Sequence, residues 1–490
     1  MSGLFCIFAK WKILLITNYF YMKNVKINIL FMVLLLSPLC ATWGQSRIDA
    51  VPANITDTTI VRYWQDSVSI VYADKANNDR HFLLVNQLSP VVLRIAVPEH
   101  FMVNDFRILH DTVFLCGCYY AAPGTLQGLL ACFAIQDFYS GSGNYQILTT
   151  NPSHMPDCLT GSCKNHVYDI TRMAVYDSSG HSRIGFIAKN RILGDTTRRT
   201  GIGWAAYGGG TTWDIRIIYN KDAIEEFTDI TTTDGYVVAV GRNNQNGHLA
   251  LRIFPKSDFI IKTPIVSPGV SGFYYYNQYG QGYSDLKVDK NVMATAMDGD
   301  KFAVAYHYMD LPQEGLAVKT FGIWGGVASM MQGTNVPDIR LPGSVWKMRD
   351  VRYCRLLQRL VVLNDFDGGT VGGQASIVYQ FQIPMPATGI YQGTYMSGYV
   401  LHALDSSDAN AKSFIASGNA MAGGQLTLYS EALLTSLSCG IRDEIGGSLT
   451  FATPYATYME TNINEPRFNS LSTSFVVEVV DAAKLCDTKP

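Results

Sequence analysis

Charged residues are scarce in this chain. Asp, Glu, Lys and Arg make up 16% of its 490 residues, and 38 basic residues nearly balance 40 acidic ones. Proteins that coat nucleic acids need a surplus of basic residues, so no nucleic-acid partner is expected. A disordered chain is excluded as well, because 48% of the residues are apolar and 12% are aromatic, which is enough to build a packed core.

Long apolar runs are also lacking. The marked run Ile27–Leu36 follows two lysines, precedes small residues and falls short of the roughly 20 residues that a membrane span needs. We therefore predict an export signal over residues 1–44, with Met22 as an alternative start. Residues 45–490 are then one domain without a membrane span, located in the periplasm, on the cell surface or outside the cell. The alternative is a retained N-terminal anchor.

The motifs of metal, cofactor and nucleophilic chemistry are missing too. The nine His residues form no His-x-His pair and no His-Glu-x-x-His motif, and no nucleophile elbow, phosphate loop or dinucleotide fingerprint occurs in a fitting context. Asn364–Gly369 looks like the opening of a calcium loop but lacks the later acidic ligand, which favours a plain turn. The prediction is therefore no cofactor and no metal.

Ten Cys residues are present, and eight of them follow the predicted signal. An even number in an exported chain permits disulfides. Cys158 and Cys163 flank a short turn and form one candidate pair; Cys439 and Cys486 bracket the C-terminal segment and form another. Cys116-Gly-Cys118 alternates along an apolar strand without the spacing of a zinc site, which favours buried thiols there.

One pattern recurs along the chain from about residue 65: a short apolar run, a polar or Gly-rich gap, then a second run that alternates. The first runs begin at Val68, Val113, Ile184, Val237, Phe302, Leu360 and Phe414. Continuous apolar runs of four or five residues indicate strands that are buried on both faces. Two units match in detail, since Asp105-Phe106 and Asp229-Ile230 each lead twelve positions later to a glycine, Gly117 or Gly241.

These repeats predict an all-β fold. Sheets stacked radially like blades are covered on both faces by their neighbours, and no ten-residue stretch has helical periodicity. We predict a β-propeller of four-stranded antiparallel blades, seven over residues 65–430 or eight if the last 60 residues add one. Residues 475–480 are the candidate closing strand, paired with the N-terminal blade. A pair of β-sandwiches is the alternative.

A short segment resembles the Asp-box of sialidase-type propellers, whose pattern is Ser-x-Asp-x-Gly-x-Thr-Trp. Gly210, Thr212 and Trp213 match it, whereas Ala206 and Gly208 stand at the Ser and Asp positions. The resemblance covers eight residues of one blade. Because the box is a structural turn, it implies a propeller and not catalysis. As a whole, the chain is similar to uncharacterised exported β-propeller proteins of bacteria, which provide no known active site to transfer.

Acidic residues at equivalent repeat positions are the candidates for hydrolytic chemistry. Asp105, Asp229 and Asp350 each precede an apolar residue near the start of a repeat. A catalytic acid is needed once, whereas an acid that recurs in every repeat usually accepts hydrogen bonds from the backbone. A sialidase also needs an arginine cluster. The candidates that could converge near the axis are Arg62, Arg172, Arg216, Arg252, Arg349 and Arg352.

An aromatic segment is the candidate binding element. Gly272–Tyr283 carries six aromatic residues among Gly, Asn and Gln, and we interpret it as a rim loop together with residues 196–212. The alternative is a connection that packs its rings onto the propeller. The candidate ligand-binding residues are Tyr274, Tyr275, Tyr276, Tyr279 and Trp204. The expected function is binding of a glycan or protein at the cell envelope. The alternative is a glycan-degrading hydrolase with carboxylates at the mouth of the central channel.

Overall fold

The computed structural model describes most of the chain after residue 45. The described residues are 46–52, 55–65, 68–75, 80–86, 91–122, 125–140, 143–151, 166–178, 180–192, 198–207, 214–219, 225–244, 247–257, 272–278, 288–310, 313–337, 345–355, 358–367, 374–385, 390–397, 399–406, 414–420, 425–431, 441–448, 454–459, 467–475, 477–481 and 483–487. Ser46–Cys486 form one compact unit. The export signal predicted for residues 1–44 lies outside the described residues.

Strands dominate the described part of the chain. In order they are β1 (Ser46–Pro52), β2 (Ile55–Gln65), β3 (Val68–Lys75), β4 (Arg80–Asn86), β5 (Val91–Ala96), β6 (Phe101–Leu109), β7 (Thr112–Ala122), β8 (Thr125–Ala134), β9 (Gly143–Asn151), β10 (His166–Ser178), β11 (His181–Ile192), β12 (Arg198–Tyr207), β13 (Asp214–Tyr219), β14 (Glu225–Thr232), β15 (Tyr236–Asn243), β16 (Leu249–Pro255) and β17 (Gly272–Gln278). One short helix, α1 (Asp137–Ser140), lies between β8 and β9.

The second half continues in the same way. Its strands are β18 (Val288–Ala296), β19 (Lys301–Asp310), β20 (Gln313–Trp324), β21 (Val327–Pro337), β22 (Val345–Cys354), β23 (Arg359–Asp367), β24 (Gln374–Gln382), β25 (Ile390–Ser397), β26 (Tyr399–Ser406), β27 (Phe414–Ala420), β28 (Gln425–Glu431), β29 (Ile441–Ser448), β30 (Pro454–Met459), β31 (Arg467–Phe475), β32 (Val477–Asp481) and β33 (Ala483–Asp487).

The described strands form seven sheets, which we number in chain order. Their strand orders are β2-β3-β4-β5-β32 (sheet I), β6-β7-β8-β9-β31 (II), β10-β11-β12-β13 (III), β14-β15-β16-β17-β30 (IV), β18-β19-β20-β21 (V), β22-β23-β24-β25-β29 (VI) and β26-β27-β28-β1-β33 (VII). Successive strands pair antiparallel, as in the hairpin of β6 and β7. The predicted all-β fold of four-stranded antiparallel blades is therefore confirmed.

The first strands of the sheets form a closed ring. The first strand of each sheet contacts that of the next, from β2 and β6 onward, and β26 of sheet VII contacts β2 of sheet I. This cyclic order is that of a β-propeller, in which the innermost strands line the axis. A pair of sandwiches would not produce it.

The two ends of the chain supply outer strands. β1 pairs with β28, so the N-terminal strand becomes the fourth strand of the last sheet. β32 pairs with β5 of sheet I, with Val477 opposite Ile95 and Val479 opposite Leu93. Residues 477–480 of the predicted closing strand thus pair with the N-terminal blade, whereas Phe475 ends β31 and lies opposite Gly143 of sheet II. β29, β30 and β31 add a fifth strand to sheets VI, IV and II in turn.

The apolar runs are buried on both faces because each sheet lies between two others. In β7, Val113 and Leu115 belong to the core between sheets I and II. Phe114 and Cys116 belong to the core between sheets II and III, and all four side chains are fully buried. The same alternation places Val238 and Val240 on the opposite face of β15 from Val237 and Ala239. Burial on two faces is why these runs lack polar residues.

A β-bulge in the first strand explains the recurring Asp and Gly. The register shifts between Val103 and Asp105 in sheet II and between Phe227 and Asp229 in sheet IV. Gly117 and Gly241 lie opposite these bulges. A methyl group on Gly117 would come within 1.7 Å of the Met102 carbonyl oxygen, and one on Gly241 within 2.0 Å of the Glu226 oxygen. The bulge therefore requires glycine in the facing strand.

Sheet V carries a buried lysine. Lys319 in β20 is 1% exposed. It lies on the same face of its strand as Ala317 and Phe321, which belong to the core between sheets IV and V. Burial lowers the pKa of Lys319 to about 7. In the unfolded chain the pKa is that of an ordinary lysine, so between these two values the unfolded state binds more protons than the folded state. Lys319 thus destabilises the fold at neutral pH.

Replacing Lys319 with Met should therefore stabilise the protein at pH 7, and the gain should shrink as the pH rises. We expect the difference in free energy of unfolding between variant and native protein to fall by about 3 kcal/mol from pH 7 to pH 10. Urea unfolding across that range measures it. Lys301 is exposed, so Lys301→Met should show no such trend. A difference for Lys319→Met that is independent of pH would contradict the assignment.

Candidate functional site

Charged side chains from four first strands meet at the centre of the ring. We call this group the axial cluster. Its members are Arg62 in β2, Asp105 and Arg107 in β6, Asp350 and Arg352 in β22, and Asp405 in β26. The strands belong to sheets I, II, VI and VII, which follow one another around the ring. Three carboxylates and three guanidinium groups give the cluster no net charge.

Asp105 is the most enclosed carboxylate of the cluster, and both of its oxygens are bound. Oδ1 accepts hydrogen bonds from Arg62 Nη2 and from the backbone N–H of Phe106, each at 2.9 Å. Oδ2 accepts the backbone N–H of Met173 in sheet III at 3.2 Å and forms an ion pair with Arg107 Nη2 at 3.3 Å. A single buried side chain therefore joins sheets I, II and III.

Arg352 and Asp405 join the last sheets to the first. Arg352 Nη1 lies 2.8 Å from Asp350 Oδ1, and Arg352 Nε donates to Asp405 Oδ1 at 3.1 Å. Asp405 Oδ2 accepts the backbone N–H of Tyr63 in β2 at 2.7 Å. The carboxylate of Asp405 thus connects sheets VI, VII and I at the point where the ring closes.

Arg62 connects two sheets that are not neighbours in the ring. Its Nε donates to the carbonyl oxygen of Phe106 in sheet II at 3.1 Å. Its Nη1 lies 3.7 Å from Asp350 Oδ2 in sheet VI and donates to its own neighbour, the Val61 carbonyl oxygen, at 2.7 Å. This side chain therefore contacts sheets II and VI, which are separated in the ring by sheets I and VII.

The electrostatics of the cluster keep Asp105 ionised. Burial by itself would raise the pKa of Asp105, but Arg107, Arg62 and Arg172 outweigh it, so the pKa lies below its ordinary value. Burial, together with Arg107 and Arg352, lowers the pKa of Arg62 to about 10, against the opposing effect of Asp105 and Asp350. Arg62 therefore stays charged at neutral pH. A buried, hydrogen-bonded network of this kind loses much stability if one partner is removed.

Asp229 in sheet IV repeats the arrangement of Asp105. Its Oδ1 accepts the N–H of Ile230 and its Oδ2 accepts the N–H of Ala294 in sheet V, each at 2.9 Å. Its electrostatics differ, since burial raises the pKa of Asp229 against the opposing effect of Arg172 and Arg107. Each of these aspartates accepts its own following N–H and an N–H of the next sheet.

The bulged residue just before each aspartate binds the next sheet as well. Thr228 Oγ1 donates to the Val292 carbonyl oxygen at 2.7 Å and accepts the Val292 N–H at 3.1 Å. In sheet II the equivalent residue is Asn104, whose Nδ2 donates to the Ile170 carbonyl oxygen at 3.0 Å. Two consecutive side chains thus hold each of these sheets to its neighbour.

The interpretation of Asp105, Asp229 and Asp350 as structural acceptors is confirmed. Val351 N–H donates to Asp350 Oδ1 at 2.9 Å, which matches the bonds of the other two. The sequence alone suggested turns, but these three aspartates lie at β-bulges. A bulge, like a turn, needs a hydrogen-bond acceptor from a side chain, because it leaves a backbone N–H without its partner in the neighbouring strand.

Only part of the arginine set expected at the axis is found there. Arg62 and Arg352 are members of the cluster, and Arg172 in β10 is close enough for Asp105, Asp229 and Asp350 to raise its pKa against the effect of burial. Arg252 lies instead in the third strand of sheet IV, with its guanidinium 5.0 Å from the centre of the Phe254 ring. Arg216 lies in β13, the outermost strand of sheet III. Arg349 is the partly exposed bulged residue of β22.

Sequence reasoning missed Arg107 and Asp405. Arg107 follows Asp105 by two positions, as Arg352 follows Asp350, so a shared Asp-x-Arg spacing was the available signal. Asp405 lies two positions after Ala403, where the bulge of β26 ends. No local pattern marks it, because its partners Tyr63 and Arg352 are far away in the chain.

The expected aromatic rim loop is largely a strand. Tyr274, Tyr275 and Tyr276 lie in β17, opposite Leu251, Ala250 and Leu249 of β16 and next to β30 on the other side. The loop interpretation is wrong for these three residues, because aromatic residues favour strands and sheet IV needs a fourth one. Tyr279 lies outside the described residues.

Trp204 and the segment around it are also part of a sheet. Residues 198–207 form β12, so the predicted loop over 196–212 is a strand in its central part. Trp204 is half-buried and packs against the core between sheets III and IV. Residues 208–213, which carry most of the Asp-box resemblance, lie outside the described residues.

The remaining candidate sites fall partly beyond the described residues. Cys158, Cys163 and Cys439 lie outside them, and of Cys486 only its place in β33 is described. Cys116 and Cys118 are buried, as expected for thiols on an apolar strand. Among the described residues, no three His, Cys, Asp or Glu side chains lie close enough to hold a metal ion. Asn364–Asp367 belong to β23.

No family model and no curated protein matches the chain. Among solved structures, the chain is similar to Drosophila semaphorin 2a, with 8% sequence identity and a TM-score of 0.39 over 79% of this chain and 75% of that one. It is also similar to the polysaccharide lyase Uly1, with 8% identity and a TM-score of 0.39 over 78% of this chain and 90% of that one. Within the described ranges, no helix has the length and apolarity to cross a membrane.

Proposed function

We propose that the protein is an exported, non-enzymatic β-propeller that binds a glycan or a protein at the cell envelope. One observation supports this most. The carboxylates of the axial cluster are bound by guanidinium groups and backbone N–H groups, as Asp105 is on both oxygens. The charges at the centre of the ring thus hold sheets together. Ligand binding then takes place on surfaces away from the axis.

The geometry of the cluster fits a structural role better than the active site of a hydrolase. A glycosidase needs one carboxylic acid that holds a proton and a second carboxylate across a gap of about 5–10 Å that a sugar or water can enter. Asp105 is fully buried and its pKa is depressed. It has neither a proton to give nor a free oxygen to attack with.

A glycan-degrading hydrolase is the second candidate, and one observation favours it. The pKa of Asp229 is raised by burial, with a smaller contribution from Asp105, whereas the pKa of Asp105 is lowered; Arg107 and Arg172 act on both carboxylates. A pair of carboxylates with pKa values moved apart is typical of a general acid and its partner. Against it, Asp229 is 5% exposed and accepts a backbone N–H on each oxygen.

The tyrosines of β17 provide the first test of the binding proposal. Because successive positions of a strand alternate between its faces, changing Tyr274, Tyr275 and Tyr276 together to Ala alters both faces of β17. We expect binding to fall at least tenfold, because loss of an aromatic ring from a binding surface costs about 1 kcal/mol or more. The measurement is a glycan array combined with capture of envelope proteins, followed by titration of the best hit. Tyr139→Ala, which changes an exposed ring on α1, is the control.

Two results would count against the proposal. If the triple change affects the binding of no glycan and no protein, β17 is not part of the binding surface. Hydrolysis of a polysaccharide or sialoside by the native protein, lost in a folded Asp229→Asn variant, would replace the binding module with the hydrolase.

A further inference from the structure

The turn between β18 and β19 is a junction of three sheets. Asp300 Oδ1 accepts the N–H of Gly235 at 2.6 Å and the hydroxyl of Thr233 at 3.1 Å, both from sheet IV. Asp298 Oδ2 accepts the hydroxyl of Tyr353 of sheet VI at 3.2 Å, and Asp298 Oδ1 forms an ion pair with Arg355. The turn is therefore bonded to sheet IV through Asp300 and to sheet VI through Asp298, and these bonds fix the orientation of both carboxylates.

Trp324 lies directly beside this junction. It ends β20, and the preceding Ile323 donates its N–H to the Asp300 carbonyl oxygen at 2.8 Å. The turn that follows has positive φ angles at Gly325 and Gly326, which lets the chain reverse immediately after the indole. Continuing this register by one residue brings the backbone of Trp324 beside the turn that contains Asp298, Gly299 and Asp300.

The indole of Trp324 rests against backbone and presents a large surface to solvent. A methyl group on Gly322 would come within 2.5 Å of Trp324 Cη2, so the ring lies close against that glycine. The side chain is nevertheless 58% exposed. An indole supported by the protein backbone and open on its other side is a rigid apolar platform, with little side-chain entropy left to lose on binding.

The neighbouring turn carries polar groups with exposed surface. The side chain of Asp298 is 48% exposed and that of Arg355 is 57% exposed, although the two are paired with each other. A carboxylate and a guanidinium beside an aromatic ring can accept from and donate to hydroxyl groups. Hydroxyl groups can bond to both partners of this pair, whereas an anion would also meet the carboxylates of Asp298 and Asp300 in the same turn.

We propose that Trp324, Asp298 and Arg355 form a shallow subsite for one ring of a neutral glycan. The C–H face of the sugar stacks on the indole, and its hydroxyls bond to the carboxylate and the guanidinium. This inference rests on the proposed binding function and names the ligand class and a place for it, away from the axial cluster and from β17.

The test is binding of neutral oligosaccharides on an array that also carries uronate and sialate glycans, followed by titration calorimetry with the best neutral ligand. Trp324→Ala should weaken binding at least tenfold, Trp324→Phe should retain part of it, and Asp298→Asn should weaken it too. The melting temperature of each variant is measured to confirm that it is folded at the temperature of the binding assay. The matched control is Tyr139→Ala, since Tyr139 is 59% exposed in α1, the short helix between β8 and β9.

The outcomes separate this inference from the proposed function. If the native protein binds neutral glycans and Trp324→Ala binds them equally well, the subsite is wrong and the binding function stands. If only acidic glycans or an envelope protein bind, the ligand class is wrong, whatever the role of Trp324. If no glycan and no protein binds, both the subsite and the proposed function fail.

Discussion

Replacing Asp105 with Ala should lower the free energy of unfolding by about 3–5 kcal/mol, the usual effect of removing one partner from a buried ion pair. The change leaves Arg62 and Arg107 without their shared carboxylate and deprives two backbone N–H groups, of Phe106 and Met173, of their acceptor. Asp105→Asn should cost less than Asp105→Ala, because an amide oxygen still accepts one of these hydrogen bonds. Urea unfolding followed by circular dichroism measures both.

A surface aspartate provides the control. Asp177 pairs with His110 at 2.5 Å, but the two side chains are 44% and 71% exposed. Exposed pairs contribute about 1 kcal/mol or less, so Asp177→Ala should leave the unfolding curve nearly unchanged. Equal and small effects at Asp105 and Asp177 would show that the axial carboxylate does not hold the sheets together.

Replacing Gly241 with Ala should be destabilising by about 2–3 kcal/mol, although Ala is normally preferred to Gly within strands. The added methyl group would lie 2.0 Å from the Glu226 carbonyl oxygen and 2.6 Å from Phe227 Cα, so the backbone of the bulge must move. The same holds for Gly117 in sheet II, where the closest approach is 1.7 Å, to Met102 O. Thermal and urea unfolding of the single variants measure the cost.

Gly333 is the matched control for this effect. It lies within β21, and a methyl group there would meet Lys319 Cγ at 3.4 Å, an ordinary contact with a flexible side chain. Gly333→Ala should therefore change stability by about 0.5 kcal/mol or less, with a gain more expected than a loss. A Gly241→Ala variant as stable as Gly333→Ala would mean that the bulge does not constrain the facing strand.

Local patterns in the sequence were sufficient to predict the repeated sheets. The runs at Val113 and Val237 are continuous because their side chains alternate between two cores, and this leaves a direct trace in residue type. The twelve-residue spacing from Asp105 to Gly117 was visible as well. Its cause was not, because a bulge is a relation between two strands and only the register reveals it.

The charged centre could be predicted only in part for the same reason. Asp105 and Arg62 are separated by 43 positions, and Tyr63 and Asp405 by 342, so no spacing connects them. The aromatic segment Tyr274–Tyr276 has the composition of a strand, but nothing near it in the sequence shows that sheet IV lacks a fourth strand. Trp324 gave no signal, because an aromatic residue at a strand end is normally part of the core.

We infer that the axial charges hold neighbouring sheets together. A double-mutant cycle of Arg62→Met and Asp105→Asn tests it most directly, with the free energy of unfolding measured for the native protein, both single variants and the double variant. The account predicts that the double variant is more stable than the sum of the two single losses implies, by about 2 kcal/mol or more. A coupling energy of zero, with both side chains contributing independently, would contradict it.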